Sequence, residues 1–163
     1  EKDGQKVSIQ IIPYGRTGLP QTSQALQSAL QQLGVEASFE QLDSTEDRGH
    51  AGTYDLSVYA EVTLPTGDPY SYLMNNFGTD GIQNFGKYSN AEVDELLDQL
   101  AMEFDVDKRN ELAAQIDGTV LADNSICNIF HLNMYMAMKD TVVGLNQSPV
   151  DYYHITYQTC VEE

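Results

Sequence analysis

"KVSIQIIPYGRTGLPQTSQALQSALQQLGVEASFEQL", Lys6 to Leu42, decides the fold. Lys6 to Pro13 alternates Val7, Ile9 and Ile11 with polar residues, the two-residue period of a strand. A loop with two glycines follows, Tyr14-Gly15-Arg16-Thr17-Gly18. Pro20 suits the first turn of a helix, and Ala25, Leu26, Ala29, Leu30 and Leu33 recur at helical spacing until Gly34 stops the run. Val35 to Leu42 reads as a second strand. Polar residues 43–53 make a loop or short irregular helix, and Tyr54 to Ala60 is a third strand. Strand, helix, strand with short connections is a βαβ unit, with parallel strands covered by helices. Binding loops in such sheets gather at the carboxyl ends of the strands. The loops Tyr14–Gly18 and Glu61–Asp68 both leave from such ends.

Downstream, helix signals dominate. Asp68-Pro69 reads as a cap and first-turn proline opening a helix to about Phe77. Ser89-x-x-Glu92 reads as a capping box, with Val93, Leu96, Leu97 and Leu100 on one face. Its acids Glu92, Asp94, Glu95 and Asp98 are expected to face water. Asp105 caps a third helix with the stripe Leu112, Ala113, Ile116, Val120, Leu121. Ile126 to Leu132 and Met134 to Lys139 read as strands, with Met134, Met136 and Met138 on one core-facing side. The expected fold class is α/β, a largely parallel mixed sheet flanked by helices, with no domain boundary visible within residues 1–163.

The bulk numbers bound the function. The chain has 163 residues, 41% of them apolar, enough for a hydrophobic core. With 25 acidic and 8 basic side chains, its formal charge is −17, so nucleic acid and anionic lipid should repel it. Cys127 and Cys160 form no zinc or redox spacing. Cys127, in an apolar run, is expected to be a buried thiol, with a Cys127–Cys160 disulfide as the alternative in an exported chain.

Enzymatic motifs are missing. There is no Gly-x-Ser-x-Gly elbow, and no phosphate loop with its lysine. Glu61 and Asp68 could be imagined as a hydrolytic carboxylate pair, but Asp68 is better explained as a cap. A binding module needs only a rigid sheet, loops at one end, tyrosines and a few charges. Tyr14, Arg16, Tyr59, Glu61, Thr63 and Tyr70 are the residues this arrangement would offer a ligand, each with surface or packing as its plainer reading. His131, in an apolar strand, reads first as a core histidine. His154 lies in a tyrosine-rich tail, and both are candidate metal ligands.

Taken in order, these motifs resemble the carboxyl-terminal lobe of bacterial extracellular solute-binding proteins of the peptide/nickel type, which feed ABC importers. "VSIQIIPYG" with "ALQSALQQLGVEASFEQLD", "YDLSVYAEVTLPTGDPYSYL", "GKYSNAEVDELLDQL" and "DVDKRNELAAQIDGTVLADNSICNIFHLNMYMAMKDTVVGL" carry the likeness across nearly the whole chain. The resemblance implies a non-catalytic, periplasmic-binding-protein-like lobe spanning residues 1–163, half of a two-lobed receptor whose second lobe belongs to the same polypeptide. It implies an extracytoplasmic place, periplasmic or as a membrane-anchored lipoprotein, and an ABC permease as partner. The ligand would close between lobes and be a short peptide or, as transported cargo, nickel or a metal chelate, with no resident cofactor. Peptide-binding members carry an acid in the loop after the third strand; here Val62-Thr63-Leu64-Pro65-Thr66 lacks one and Glu61 lies just upstream. The tail "SPVDYYHIT" resembles nickel or metal-chelate members. A chelated metal would need one His, from His131 or His154, and Arg16 for the chelator's carboxylates. A carboxylate hydrolase, or an acidic interaction module without a small ligand, are the alternatives from other classes.

Overall fold

Three parallel strands order themselves β2-β1-β3 around a central β1 (Ser8–Pro13), with β2 at Glu36–Phe39 and β3 at Leu56–Val58. The computed structural model describes residues 6–44, 46–133, 135–146 and 155–162. They fall into two compact units, Glu1–Glu61 with Ile82–Tyr88, and Val62–Gly81 with Ser89–Glu163.

In the first unit the βαβ reading holds. α1 (Leu19–Gln32) begins after Gly18 at φ 91° and ends before Gly34 at φ 82°, both left-handed positions that favour glycine. Its Leu19, Leu26 and Leu30 pack with Ile11 and Val58 of the sheet, and Ile9, Tyr14 and Phe39 close round them. Gln27 and Gln31 of α1 both donate to the Ala37 carbonyl of the edge strand β2. Ile12, on the other side of β1, is also fully buried. On that side Arg48 of α2 (Glu46–Ala51) donates to Glu40 Oε2 at 2.7 Å and Gln10 Oε1 at 3.1 Å, tying helix to sheet. Pro13, the last residue of the central strand, has no N–H to donate, but its carbonyl still accepts from Leu42 N at 2.9 Å before the chain enters the Tyr14 loop.

Gly49 of α2 lies under the Phe85 ring, where an added Cβ would come within 2.7 Å. Alanine normally stabilises a helix interior by about 1 kcal/mol relative to glycine. At Gly49 the clash outweighs that gain, and Gly49→Ala should destabilise by about 1–2 kcal/mol. In the later helix Val106–Ala122, an added Cβ at Gly118 meets nothing within 4 Å, so Gly118→Ala should stabilise by up to about 1 kcal/mol. Urea midpoints of opposite sign for the two variants check the pair; equal shifts would refute it.

The second unit is helical. α3 (Tyr70–Phe77), α4 (Ala91–Met102) and α5 (Val106–Ala122) bury Leu73, Phe77, Val93, Leu97, Leu100, Ile116 and Val120. Asp68 opens α3 as expected, its Oδ1 accepting from Tyr70 N at 2.9 Å, and Asp105 caps α5 by accepting from Lys108 N. The α4 cap is Asn90 rather than Ser89. Asn90 Oδ1 accepts from Glu92 N, while Ser89 Oγ shares a hydrogen bond with Thr79 Oγ1, which also donates to Asp94. Glu92, Glu95 and Asp98 face water as expected, and half-buried Asp94 instead holds Thr79 N.

Residues 126–133 and 135–139 form no strand, against expectation, because they find no ladder partner among the described residues. Among the described residues antiparallel pairing is confined to a short separate ladder, β4 (Val142–Val143) with β5 (Cys160–Val161). With no strand there, Cys127 is exposed rather than buried, and neither it nor exposed Cys160 is disulfide-bonded. His131 is likewise exposed rather than a core histidine, and Met138 is 57% exposed rather than core-facing. Met134 and His154 lie outside the described residues.

Candidate functional site

The strand order creates a switch point. The chain leaves β1 through α1 to β2 on one side and returns to β3 on the other, so connections diverge at the carboxyl ends of β1 and β3. Open α/β sheets bind ligands in the crevice where connections diverge in this way. The residues at those ends are Tyr14 to Gly18 and Tyr59 to Glu61.

Their side chains meet. Tyr14 continues the β1 path, forming a parallel bridge with Leu42 while Gly15 N donates to Leu42 O. From that fixed backbone its hydroxyl crosses to the end of β3 and donates to Ala60 O at 2.9 Å. Arg16 Nη1 reaches the same oxygen at 3.4 Å. The Tyr14 and Tyr59 rings lie 5.3 Å apart, tilted by 50°, a favourable aromatic geometry. Tyr14 is half-buried against the core, whereas Arg16 is exposed and Tyr59 is 42% exposed. Glu61 follows Ala60 directly and is half-buried. An aromatic wall, a guanidinium and a nearby carboxylate can hold a polar ligand with an apolar face, orienting its carboxylate at Arg16. The α1 N-terminus begins beside this loop without a side-chain cap, adding partial positive charge.

Four of the six expected contact residues, Tyr14, Arg16, Tyr59 and Glu61, therefore lie at one sheet end in the first unit. Thr63, exposed, and Tyr70, half-buried at the start of α3, belong to the second unit. There the loop 62–68 is anchored by a residue that sequence reasoning missed. Arg109 of α5 donates from Nε to Asp68 Oδ2 at 2.8 Å and from Nη2 to Asp68 Oδ1 at 2.7 Å. Its Nη1 donates to the carbonyls of Leu100 and Glu103, orphan acceptors at the end of α4. One guanidinium thus joins the loop that follows β3 to the α4–α5 turn. The signal lay in the Lys108-Arg109 pair at the head of α5, but nothing local pointed to a partner 41 residues away.

Electrostatic perturbation lies in that turn. Backbone N–H groups of Asp105 and Phe104 donate to Glu103 Oε1, holding its carboxyl below the usual glutamate range. Burial raises the Tyr54 hydroxyl above its ordinary value. Among the described residues no group of three or more His, Cys, Asp or Glu could hold a metal ion. No described helix is long and apolar enough to cross a membrane.

No protein-family model matches the chain. It is 29% identical to the nickel-binding protein NikA of Staphylococcus aureus over 168 residues, 96% of this chain and 32% of that protein. A solved structure of NikA from Staphylococcus aureus in complex with Ni(L-His)2, 27% identical, superposes with a TM-score of 0.76 over 96% of this chain and 34% of that one. The oligopeptide-binding protein OppA of Mycobacterium bovis is 29% identical over 76% of this chain and 21% of that protein. The oligopeptide-binding protein AppA of Bacillus subtilis, solved with a nonapeptide, shares the fold over the whole chain and 33% of its own length at TM-score 0.78 and 21% identity. This chain is homologous to part of the solute-binding proteins of nickel and peptide ABC transporters, and its fold is theirs. It spans about a third or less of the length of these relatives.

Proposed function

We propose that this chain is one ligand-binding lobe of the substrate-binding component of an ABC importer, a non-catalytic module. The rest of the receptor polypeptide would supply the opposing lobe, and a permease would receive the ligand. The observation that carries this reading is the convergence of Tyr14, Arg16 and Tyr59 on the switch point of the sheet, with Glu61 directly after Ala60. Similarity to nickel- and peptide-binding relatives over nearly the whole chain supports it. The cargo we favour is nickel carried in a small carboxylate-bearing chelate, with a short peptide as the second class. The favoured cargo fits Arg16 as a carboxylate partner and the tyrosine rings as an apolar wall. It also fits the loop Val62–Thr66, which lacks the acid that would hold a peptide amino terminus. Thr63, in the loop after β3, and Tyr70, at the head of α3, are candidate contacts of the second unit, and His131 or His154 a candidate nitrogen for a chelated metal. The receptor would work outside the cytoplasm, free in a periplasm or lipid-anchored at the cell surface.

The test separates binding from catalysis. In the full-length polypeptide, Glu61→Gln should change affinity for nickel–histidine or a short peptide by about threefold to tenfold, as expected for one charged contact. Neither protein should hydrolyse peptide or ester substrates. Turnover in the wild type that vanishes in the variant would replace this reading with a carboxylate hydrolase.

A further inference from the structure

The α4–α5 turn carries the sequence Met102-Glu103-Phe104-Asp105-Val106-Asp107. Its three apolar side chains are among the most exposed of the described residues: Met102 at 75%, Phe104 at 89% and Val106 at 69%. They take no part in the helical core, which Val93, Leu97, Leu100, Ile116 and Val120 close without them. Yet the turn that carries them is fixed at every step. Glu103 Oε1 accepts from Phe104 N and Asp105 N, each at 2.8 Å. Asp105 Oδ1 caps α5 through Lys108 N, and Arg109 Nη1 donates to Glu103 O. An exposed phenylalanine on a pre-organised turn loses little further backbone freedom when a partner buries it, which favours it as an interface anchor.

The surroundings select the partner. From Asp98 to Glu111 the chain has five acids, Asp98, Glu103, Asp105, Asp107 and Glu111, against Lys108 and Arg109, and Arg109 is engaged with Asp68. A second copy of this chain, with 25 acids and 8 bases, would meet the turn with like charge, and an anionic lipid surface would do the same. A protein pocket that is apolar at its floor and rimmed by lysine and arginine fits both features. Resting on the importer reading above, we infer that the α4–α5 turn docks the receptor on its importer, Phe104 entering such a pocket with Met102 and Val106 beside it. Arg109 places this contact one guanidinium away from the 62–68 loop.

The experiment uses the full-length receptor and its cognate importer, permease and ATPase subunits together, in phosphatidylcholine nanodiscs. Receptor-stimulated ATP hydrolysis is titrated with wild type, Phe104→Ser and Asp107→Lys, and calorimetry with nickel–histidine and a short peptide follows ligand binding. Phe104→Ser should raise the receptor concentration for half-stimulation at least tenfold, and Asp107→Lys by a few-fold. Ligand affinity should be unchanged in both; Phe104→Ser should keep the thermal midpoint, and Asp107→Lys should lower it by a few degrees because Asp107 stands in the first turn of α5. A clear fall in midpoint with Phe104→Ser would overturn the docking assignment and give its ring to a contact within the receptor polypeptide. Raising sodium chloride from 50 to 500 mM should weaken wild-type stimulation. Equal stimulation by wild type and Phe104→Ser would overturn the docking assignment and leave the importer reading standing. A wild type that binds ligand but never stimulates would remove the importer partner and this inference with it. Concentration-dependent dimerisation, or binding to phosphatidylglycerol vesicles, abolished by Phe104→Ser would reassign the turn to that occupant.

Discussion

Arg109→Ala should cost the second unit about 3 kcal/mol, the largest loss expected from any single polar substitution among the described residues. The guanidinium makes a two-pronged pair with Asp68 and donates to two α4 carbonyls, and only 19% of its side chain is exposed. Hydrogen bonds to charged groups contribute about 1.5–3 kcal/mol each, and stranding a partner adds the penalty of leaving it unsatisfied. Asp68, at 37% exposure, recovers part of its hydration, which keeps the total near 3 rather than 5 kcal/mol. In thermal unfolding this is a fall of roughly 10 °C for a chain of this size. Arg109→Lys should rescue little, since a lysine offers no fork to match the carboxylate. A double-mutant cycle with Asp68→Asn should give about 1–3 kcal/mol of coupling. Arg109→Ala within 0.5 kcal/mol of wild type would mean the clamp carries no weight.

Arg16→Ala, in the full-length polypeptide, should weaken binding of a carboxylate-bearing ligand by about 10–100-fold, or roughly 1.5–3 kcal/mol. Arg16 is exposed and its bond to Ala60 O is long, so the loss should fall mainly on affinity, with a thermal midpoint lowered by no more than a few degrees. Tyr14→Phe should cost less, because it removes only the hydroxyl that donates to Ala60 O and keeps the ring against Tyr59. Calorimetry with nickel–histidine and with a short peptide reads both variants. An Arg16→Ala change below twofold for either ligand would take the guanidinium out of the site.

How far the sequence reached depends on the range of the interaction. The βαβ unit was readable from Lys6–Leu42 because strand period, helix period and the glycines at 18 and 34 are local signals. Asp68 and Asp105 were readable as caps for the same reason. Ser89 misled because Asn90, one residue on, offers an equally good acceptor at better placement for Glu92 N. The strands expected over 126–139 failed differently. Apolar alternation marks a segment that can pair, but pairing needs a partner, and none of the described strands meets it. The site divides in the same way. Tyr14 and Arg16 followed from their place at the end of β1. The meeting of both on Ala60 O, and the span from Asp68 to Arg109, are tertiary facts with no local signature.

The proposed binding site is two-sided and non-catalytic, and this chain would contribute one side of it. Native mass spectrometry of the full-length receptor, purified without denaturation, tests it most directly, with the isolated 163-residue chain measured alongside. A nickel chelate or short peptide should co-purify with the full-length protein, reduced in occupancy by Arg16→Ala, and the isolated chain should retain none. Ligand held equally well by the isolated chain would contradict it, as would a full-length protein that stays empty when offered nickel–histidine and peptides.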